Sequence, residues 1–371
     1  MKILYLFRSL AVCGGIERIL VDKMNALASK HDMSVYLLTT DQGSHPLSYN
    51  LDSKVKMEDL GINFHHVYQY GIFRRMLQKQ KRKYQFEKVF NKQILNIQPD
   101  IIVCTTADQI GSIVKVKGEI PLVVESHSIC NRTIEHGRVW ILRKIYRRNY
   151  LKSLSKVDCL VSLTEGDAKN WRRFHPNVRV IPNMLYHFPK EMSSQATKHV
   201  IFVGRLDYQK RVQDALLIWN KVSAKFPEWI LDIYGDGNQK GEIEEKVASM
   251  RNVRLHQPTD HIFDCYLKSS VLISTSLFEP FGLVLIEAMS CGLPVVAFDC
   301  QYGPSDIITN GKDGFLIKNR NIDEFVEKVC LLLENQALRM KMGRAGVLSS
   351  QRYSKKLILP MWEQLFNNML N

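Results

Sequence analysis

The sequence predicts an α/β protein of two Rossmann-like domains facing each other across a cleft. Three observations predict it. Short apolar runs alternate with amphipathic helical stretches, twice along the chain, with a polar break between the two series. The 371 residues suffice for two separate hydrophobic cores. The composition is that of an ordinary soluble globular chain, 45% hydrophobic and 24% charged, and no apolar run approaches the ~18 residues of a membrane-spanning helix.

The elements follow in order. Lys2–Phe7 reads as a buried strand; the run is too short for a secretory signal and stops at Arg8. Residues 8–15 form a loop, after which Ile16, Ile19, Leu20, Met24 and Leu27 recur at helical spacing. Residues 33–40 read as a second strand and the basic stretch 73–97 as a helix. Ile101–Cys104, 122–124 and 159–163 are apolar runs suited to central parallel strands. Val180-Ile181-Pro182-Asn183 ends this half, and the polar stretch 190–198 links it to the next. There His199–Val203, Ile230–Tyr234, 271–275 and 294–298 read as strands, and 212–226, 283–289 and Ile322–Glu334 as helices. Leu357, Ile358, Met361, Trp362, Leu365, Phe366 and Leu370 give the tail a helical period. The expected domains are 1–186 and 187–353, with 354–371 as a terminal helix.

Eight cysteines are scattered without a CxxC or a Cys/His cluster, so they read as reduced core residues of a cytosolic protein rather than zinc ligands. The net charge of +14 is unevenly placed. Residues 1–186 carry 29 Lys+Arg against 16 Asp+Glu, and 187–371 carry 22 against 21. The excess gathers in Arg74-Arg75, Lys79 and Lys81-Arg82-Lys83, and in Arg143-Lys144, Arg147-Arg148 and Lys152. Such a face attracts a polyanion or an anionic membrane surface. It lacks the interleaved aromatics of a stacking platform apart from Tyr84 and Tyr146, and no helix-turn-helix or zinc pattern accompanies it, which argues against nucleic acid.

The most informative stretch is Phe278-Glu279-Pro280-Phe281-Gly282-Leu283-Val284-Leu285-Ile286-Glu287. Two carboxylates stand eight positions apart, a little over two helical turns. With a helix starting near Phe281, Glu279 sits in the loop at its mouth and Glu287 further down. The intervening helix N-terminus offers free N–H groups and partial positive charge to a phosphate. Carboxylates accept hydrogen bonds from sugar hydroxyls, so the pattern suits a nucleotide-sugar. An acidic first turn on an amphipathic helix would look the same taken alone.

Other residues stand at the carboxyl ends of expected strands, where open α/β sheets bind ligands. Gly14-Gly15 lets the backbone approach a phosphate, although no G-x-G-x-x-G is present. Arg205 and Lys210 flank the loop Gly204-Arg205-Leu206-Asp207-Tyr208-Gln209-Lys210 and could neutralise a diphosphate. Tyr234-Gly235-Asp236-Gly237 makes a tight turn and could line a nucleoside pocket. His127, after the strand 122–124, could bind a sugar hydroxyl or steady developing charge, or simply be bonded within its loop. No D-x-D pair occurs, so diphosphate binding without a metal is expected.

Taken together and in this order, Gly14-Gly15, His127, Pro182-Asn183, the Gly204–Lys210 loop, Tyr234–Gly237 and Glu279-x7-Glu287 resemble retaining glycosyltransferases of family four, which have the GT-B fold. The resemblance covers most of the chain and is strongest over 199–317. It implies that Arg205 and Lys210 hold the donor diphosphate, that Glu287 binds the ribose hydroxyls, and that Glu279 with the backbone at Phe281, Gly282 and Leu283 holds the donor sugar. His127 would lie at the reacting face and Gly14-Gly15 near the phosphates, and the tail helix would cross back onto the first domain. Arg211 departs from the glycine frequent in relatives, and Met184 from another. The implied reaction moves a sugar from a nucleoside-diphosphate sugar, commonly a UDP-sugar, to a glycan or lipid-linked sugar acceptor, with retention and without a metal. The implied setting is cell-surface polysaccharide synthesis at the cytoplasmic face of the plasma membrane. Two alternatives remain at this stage: a sugar-nucleotide epimerase of the same fold, and a basic module that binds membrane or nucleic acid.

Overall fold

The computed structural model describes residues 1–371 apart from 106 and 136–139. The chain divides into two compact units: Met1–Met184 with Lys355–Asn371, and Leu185–Ser354.

The first unit is a seven-stranded sheet of β1 (Lys2–Phe7), β2 (Ser34–Thr39), β3 (Lys56–Asp59), β4 (Ile101–Cys104), β5 (Leu122–Ser126), β6 (Cys159–Ser162) and β7 (Val178–Val180). Every pairing is parallel, in the order β3-β2-β1-β4-β5-β6-β7. Both faces are covered, which is why β1 reads as an unbroken apolar run. Ile3, Tyr5 and Phe7 enter one core with Leu20, Met24 and Leu27 of the helix Gly15–Ala28. Leu4 and Leu6 enter another with Phe86, Phe90 and Trp171. Ile16, expected on the buried stripe, is exposed, whereas Lys23 of the same helix is buried.

The tail helix Lys355–Leu370 belongs to this first unit, where it buries Ile358, Leu359, Trp362, Leu365 and Phe366 in the β1 core. Leu357 and Met361 lie on its outer side. Pro360 interrupts the helix at an exposed position, where solvent can reach the carbonyl that loses its partner.

The second unit contains β8 (His199–Val203), β9 (Ile230–Tyr234), β10 (Val253–His256), β11 (Val271–Ser274), β12 (Phe278–Glu279), β13 (Val295–Asp299), β14 (Gln301–Tyr302) and β15 (Gly314–Lys318). Its parallel sheet runs β10-β9-β8-β11-β13-β15, while β12 and β14 pair separately. The order reverses between β8 and β11, so the crevice expected at a switch point lies beyond the carboxyl ends of those two strands. The corresponding reversal in the first unit is between β1 and β4.

Among the described residues no helix is long and apolar enough to cross a membrane. All eight cysteines are free thiols; six are buried, Cys265 is half-buried and Cys13 is exposed. Burial pushes Cys291 and Cys300 up to about 12, so they remain protonated core groups.

Candidate functional site

The two loops that leave the second unit's switch point carry the charged residues singled out in the sequence. After β8 the chain makes the loop 204–211; after β11 it makes 275–282. Thr275 ties them, its hydroxyl donating to the carbonyls of Lys210 (3.0 Å) and Arg211 (2.9 Å). The Leu277 amide donates to the Gln209 carbonyl (2.8 Å), and the Gln209 side-chain amide donates to the Phe278 carbonyl (3.1 Å). This backbone lacing fixes Lys210 opposite Glu279.

Lys210 Nζ donates to Glu279 Oε1, and Ser276 Oγ donates to the same oxygen at 2.7 Å. The Lys210 and Glu279 side chains are only 13% and 7% exposed, so their attraction is weakly screened. Glu279 lies in β12, a two-residue strand, rather than in an unpaired loop. It pairs with Tyr302 of β14. Gly303 follows, and a Cβ there would overlap the Phe281 carbonyl, so only glycine lets this brace approach. The Gln301–Asp306 segment thus supports the carboxylate from behind.

The expected helix start near Phe281 falls two residues later. The helix is Leu283–Ser290, and Gly282 precedes it with φ of +110°, a conformation that favours glycine. The Phe281 ring is buried edge-on against Tyr353, with centroids 5.4 Å apart, which leaves the main chain of Phe281, Gly282 and Leu283 to form the turn beside Glu279. Glu287 is buried in the helix, and its Oε2 accepts from the Tyr266 hydroxyl at 3.1 Å. Tyr266 and Ser276 were missed in the sequence. Ser276, three residues before Glu279 on the same loop, left a local signal; Tyr266, 21 residues before Glu287, left none.

Arg205 is mostly exposed and donates to Gln209 Oε1 (2.9 Å), with Asp207 at 3.3 Å. It reaches out from the loop as a mobile-length cation, in contrast to the packed Lys210. Arg211 stands in the left-handed region, φ of +49°, which explains why glycine would suit the position. Here its guanidinium forms a two-pronged pair with Asp214 at 2.6 and 2.9 Å across the first turn of the helix Val212–Ser223. That pair offsets backbone strain and directs the charge away from Lys210's role. At Gly235 a Cβ would overlap the Gly204 carbonyl, so the glycine lets the loops after β8 and β9 pack together. Beside it the Tyr234 ring stacks on His256 at 4.4 Å, and Asp232 bonds both His256 (2.7 Å) and His199 (2.6 Å).

The remaining sequence-predicted residues lie in the first unit. Gly14 caps the helix that begins at Gly15, and the Glu17 carboxylate folds back over Gly14. His127 follows β5, at the carboxyl end of the sheet as expected. Its side chain is 6% exposed, and Nε2 lies 3.3 Å from Glu125 Oε1. Glu125 is buried and also receives a hydrogen bond from the buried Lys23. Burial by itself would raise the Glu125 carboxyl, but the Lys23 ammonium and His127 beside it outweigh that and hold it down at about 2. Burial lowers Lys23 in turn, against the pull of Glu125. Lys23 Nζ also sits 4.0 Å above the Trp362 ring of the tail helix. Sequence reading passed over Lys23 and Glu125, although Ile19, Lys23 and Leu27 are spaced four apart on one helix face.

Among the described residues no group of three or more His, Cys, Asp or Glu could hold a metal ion.

Comparisons with known proteins identify the family. A family model described as Glycosyltransferase Family 4 matches residues 13–185, and one described as Glycosyl transferases group 1 matches residues 187–347. The amylovoran biosynthesis glycosyltransferase AmsD of Erwinia amylovora is 26% identical over 381 residues, covering 99% of this chain and 99% of that protein. A poly(ribitol-phosphate) alpha-N-acetylglucosaminyltransferase of Staphylococcus aureus is 32% identical over 226 residues, 59% of this chain but only 45% of its own length. A mutant of S. aureus TarM, solved with fondaparinux, alpha-GlcNAc-glycerol and UDP, has the same fold with a TM-score of 0.79 at 18% identity, covering 99% of both chains. These matches are to sugar transferases, which selects transfer over epimerisation. Two Rossmann-like domains, with a family-four model on the first and a group 1 model on the second, make this chain a glycosyltransferase of family four with the GT-B fold.

Proposed function

We propose that the protein transfers a sugar, with retention of anomeric configuration, from a UDP-sugar to a hydroxyl of a lipid-linked glycan during cell-surface polysaccharide synthesis. The observation that carries the donor half is the Lys210–Glu279–Ser276 cluster at the second unit's switch point, on the loop that leads into the helix carrying the Tyr266-anchored Glu287. In this reading Lys210 and Arg205 take the diphosphate and stabilise the negative charge that develops as it leaves. Glu279 and the backbone of Phe281, Gly282 and Leu283 hold the transferred sugar. Glu287 takes the ribose hydroxyls, and the turn at Gly235 borders the base. Gly14-Gly15 lies near the phosphates, and His127 binds at the reacting sugar. The Lys210–Glu279 pair keeps two opposite charges satisfied until phosphate and sugar hydroxyls provide better partners. The acceptor hydroxyl attacks from the face that the diphosphate leaves, without a metal ion.

A thermal-shift panel of nucleoside diphosphates and nucleotide-sugars tests the donor site. Uridine nucleotides are expected to raise stability by about 2.7 kcal/mol at a hundredfold excess over their dissociation constant, equally with and without EDTA. Stabilisation by no nucleotide, or only with added metal, would overturn that part.

The proposed workplace is the inner face of the plasma membrane. The helices Ile72–Ile97 and Trp140–Leu154 each carry exposed apolar residues among their cations: Phe73, Met76 and Leu77 on one, Trp140, Ile141, Leu142 and Ile145 on the other. Lys144 Nζ lies 3.8 Å over the Trp140 ring. Basic residues with apolar neighbours suit the headgroup boundary of anionic lipid. Arg82 is excepted, since its guanidinium is spent on the Ile62 carbonyl. Cosedimentation with anionic vesicles that weakens as salt rises is expected. Equal recovery with purely zwitterionic vesicles would remove the electrostatic part of this reading.

A further inference from the structure

Beneath His127 lies a buried charge cluster that the transfer reaction as described does not use. Glu125 Oε2 accepts from Lys23, while Oε1 faces His127 Nε2 at 3.3 Å. The Lys23 and Glu125 side chains are 3% and 1% exposed. Tyr5 and Trp362 wall the ammonium, with ring centroids 5.5 and 4.0 Å from Nζ. His127 Nε2 is itself buried and lacks a well-aligned hydrogen bond, because Glu125 stands off its N–H direction. Catalytic hydrogen bonds often tighten only when substrate closes on the site.

We propose that Glu125 is a positioning residue that sets the tautomer of His127, with Lys23 setting which way Glu125 can act. This rests on the reading of His127 as a substrate-binding group. A carboxylate has only acceptors to offer. With one oxygen engaged by an ammonium, the other can only receive a proton from Nε2. The neutral imidazole is therefore held as Nε2–H, and Nδ1 presents its lone pair to a substrate hydroxyl. Lys23 makes the assignment one-way. An amide in place of Glu125 must turn its oxygen to the ammonium and its NH2 group to His127. Nε2 then becomes the acceptor, the proton moves to Nδ1, and the substrate hydroxyl meets a donor instead. The tail helix takes part through Trp362, which caps the cation on which the arrangement depends.

The test is side-chain 15N NMR of the full-length protein, with the His127 signals assigned by their loss in His127→Asn. The wild type is expected to show the Nε2–H tautomer. Glu125→Gln is expected to show Nδ1–H, with kcat lowered roughly a hundredfold, as for a lost acid–base or polar contact to the reacting group, and KM for the donor little changed. The double variant Lys23→Met with Glu125→Gln frees the amide to turn its oxygen back to His127. It is expected to restore Nε2–H and to recover turnover at least about tenfold over Glu125→Gln alone. A residue that merely held the fold would not produce a double variant more active than the single one. The wild-type spectrum is decisive even where a variant fails to fold: Nδ1–H there overturns the proposal. So does a double variant no faster than Glu125→Gln. Wild-type turnover in His127→Asn overturns the reading of His127 itself; Nδ1–H in the wild type with an inactive His127→Asn overturns the role of Glu125 alone.

Discussion

Lys210→Ala is expected to lower kcat/KM by about a hundred- to a thousandfold, the scale of losing one preorganised group aimed at developing charge. It is also expected to abolish stabilisation by nucleoside diphosphates. The loss comes from two sides. In the proposed site the diphosphate would lose a cation, and Glu279 loses the ion-pair partner that holds its carboxylate. The fold should persist, because the loop itself is held by Thr275, Gln209 and the Leu277 amide through the main chain, none of which depends on the ammonium. Ser276 still donates to the remaining carboxylate. Steady-state kinetics alongside thermal unfolding checks this. Wild-type turnover in a folded Lys210→Ala would remove Lys210 from the donor site. Arg205, mostly exposed and bonded to Gln209 and Asp207, is expected to make up only part of the lost charge.

Lys23→Met is expected to destabilise the protein by about 3–5 kcal/mol at neutral pH. It strands the buried Glu125 carboxylate without its ammonium partner. In a unit of this size that corresponds to a fall in Tm of roughly 10 °C. The sign of the pH dependence separates this from a packing defect. In the wild type the Glu125 carboxyl is depressed from 4.5 to about 2. Its contribution is therefore full above pH 4.5 and is lost as pH falls through about 2. Without the ammonium, burial dominates and pushes the carboxyl above its ordinary value. The folded variant then holds a proton that the unfolded chain has released, so its stability falls as pH rises from 4.5. The gap between wild type and variant should widen from pH 4 to 7 in urea melts. A pH-independent gap would mean that lost packing against Tyr5 and Trp362 accounts for the effect. Adding Glu125→Gln to Lys23→Met should regain most of the loss, since no buried charge is left unpaired.

The alternation of elements was legible because the central strands are buried on both faces. Val200-Ile201-Phe202 and Ile101-Ile102-Val103 could be nothing but apolar. The strands that escaped notice lie at or toward the sheet edges. Lys56-Met57-Glu58-Asp59 and Val253-Arg254-Leu255-His256 expose much of their length, and Val178-Arg179-Val180 is three residues long. No apolar run marks them, and their pairing is decided by the neighbour that offers its free edge. Gly314–Lys318 shows that even a longer edge strand with an apolar centre can pass unread when a loop precedes it.

The sequence by itself determined the local arrangement of the loop that carries Glu279. Glu279, Gly282 and Glu287 are close in the chain, so local turn and helix geometry alone relate them, and their spacing carries that relation on its face. The glycine that the family resemblance leads one to expect at Arg211 matches a left-handed backbone that only the structure shows. The tertiary structure alone decided which charges meet. Lys210 and Glu279 are 69 positions apart, and Lys23 and Glu125 are 102. Strand order brings each pair together: β8 beside β11 for the first, and the packing of the first helix over β1 and its neighbours for the second. A buried lysine on an apolar helix face looks in sequence like a flaw in the stripe. Only the sheet that covers it supplies the carboxylate that makes its burial tolerable, and no local pattern encodes a partner contributed by another strand.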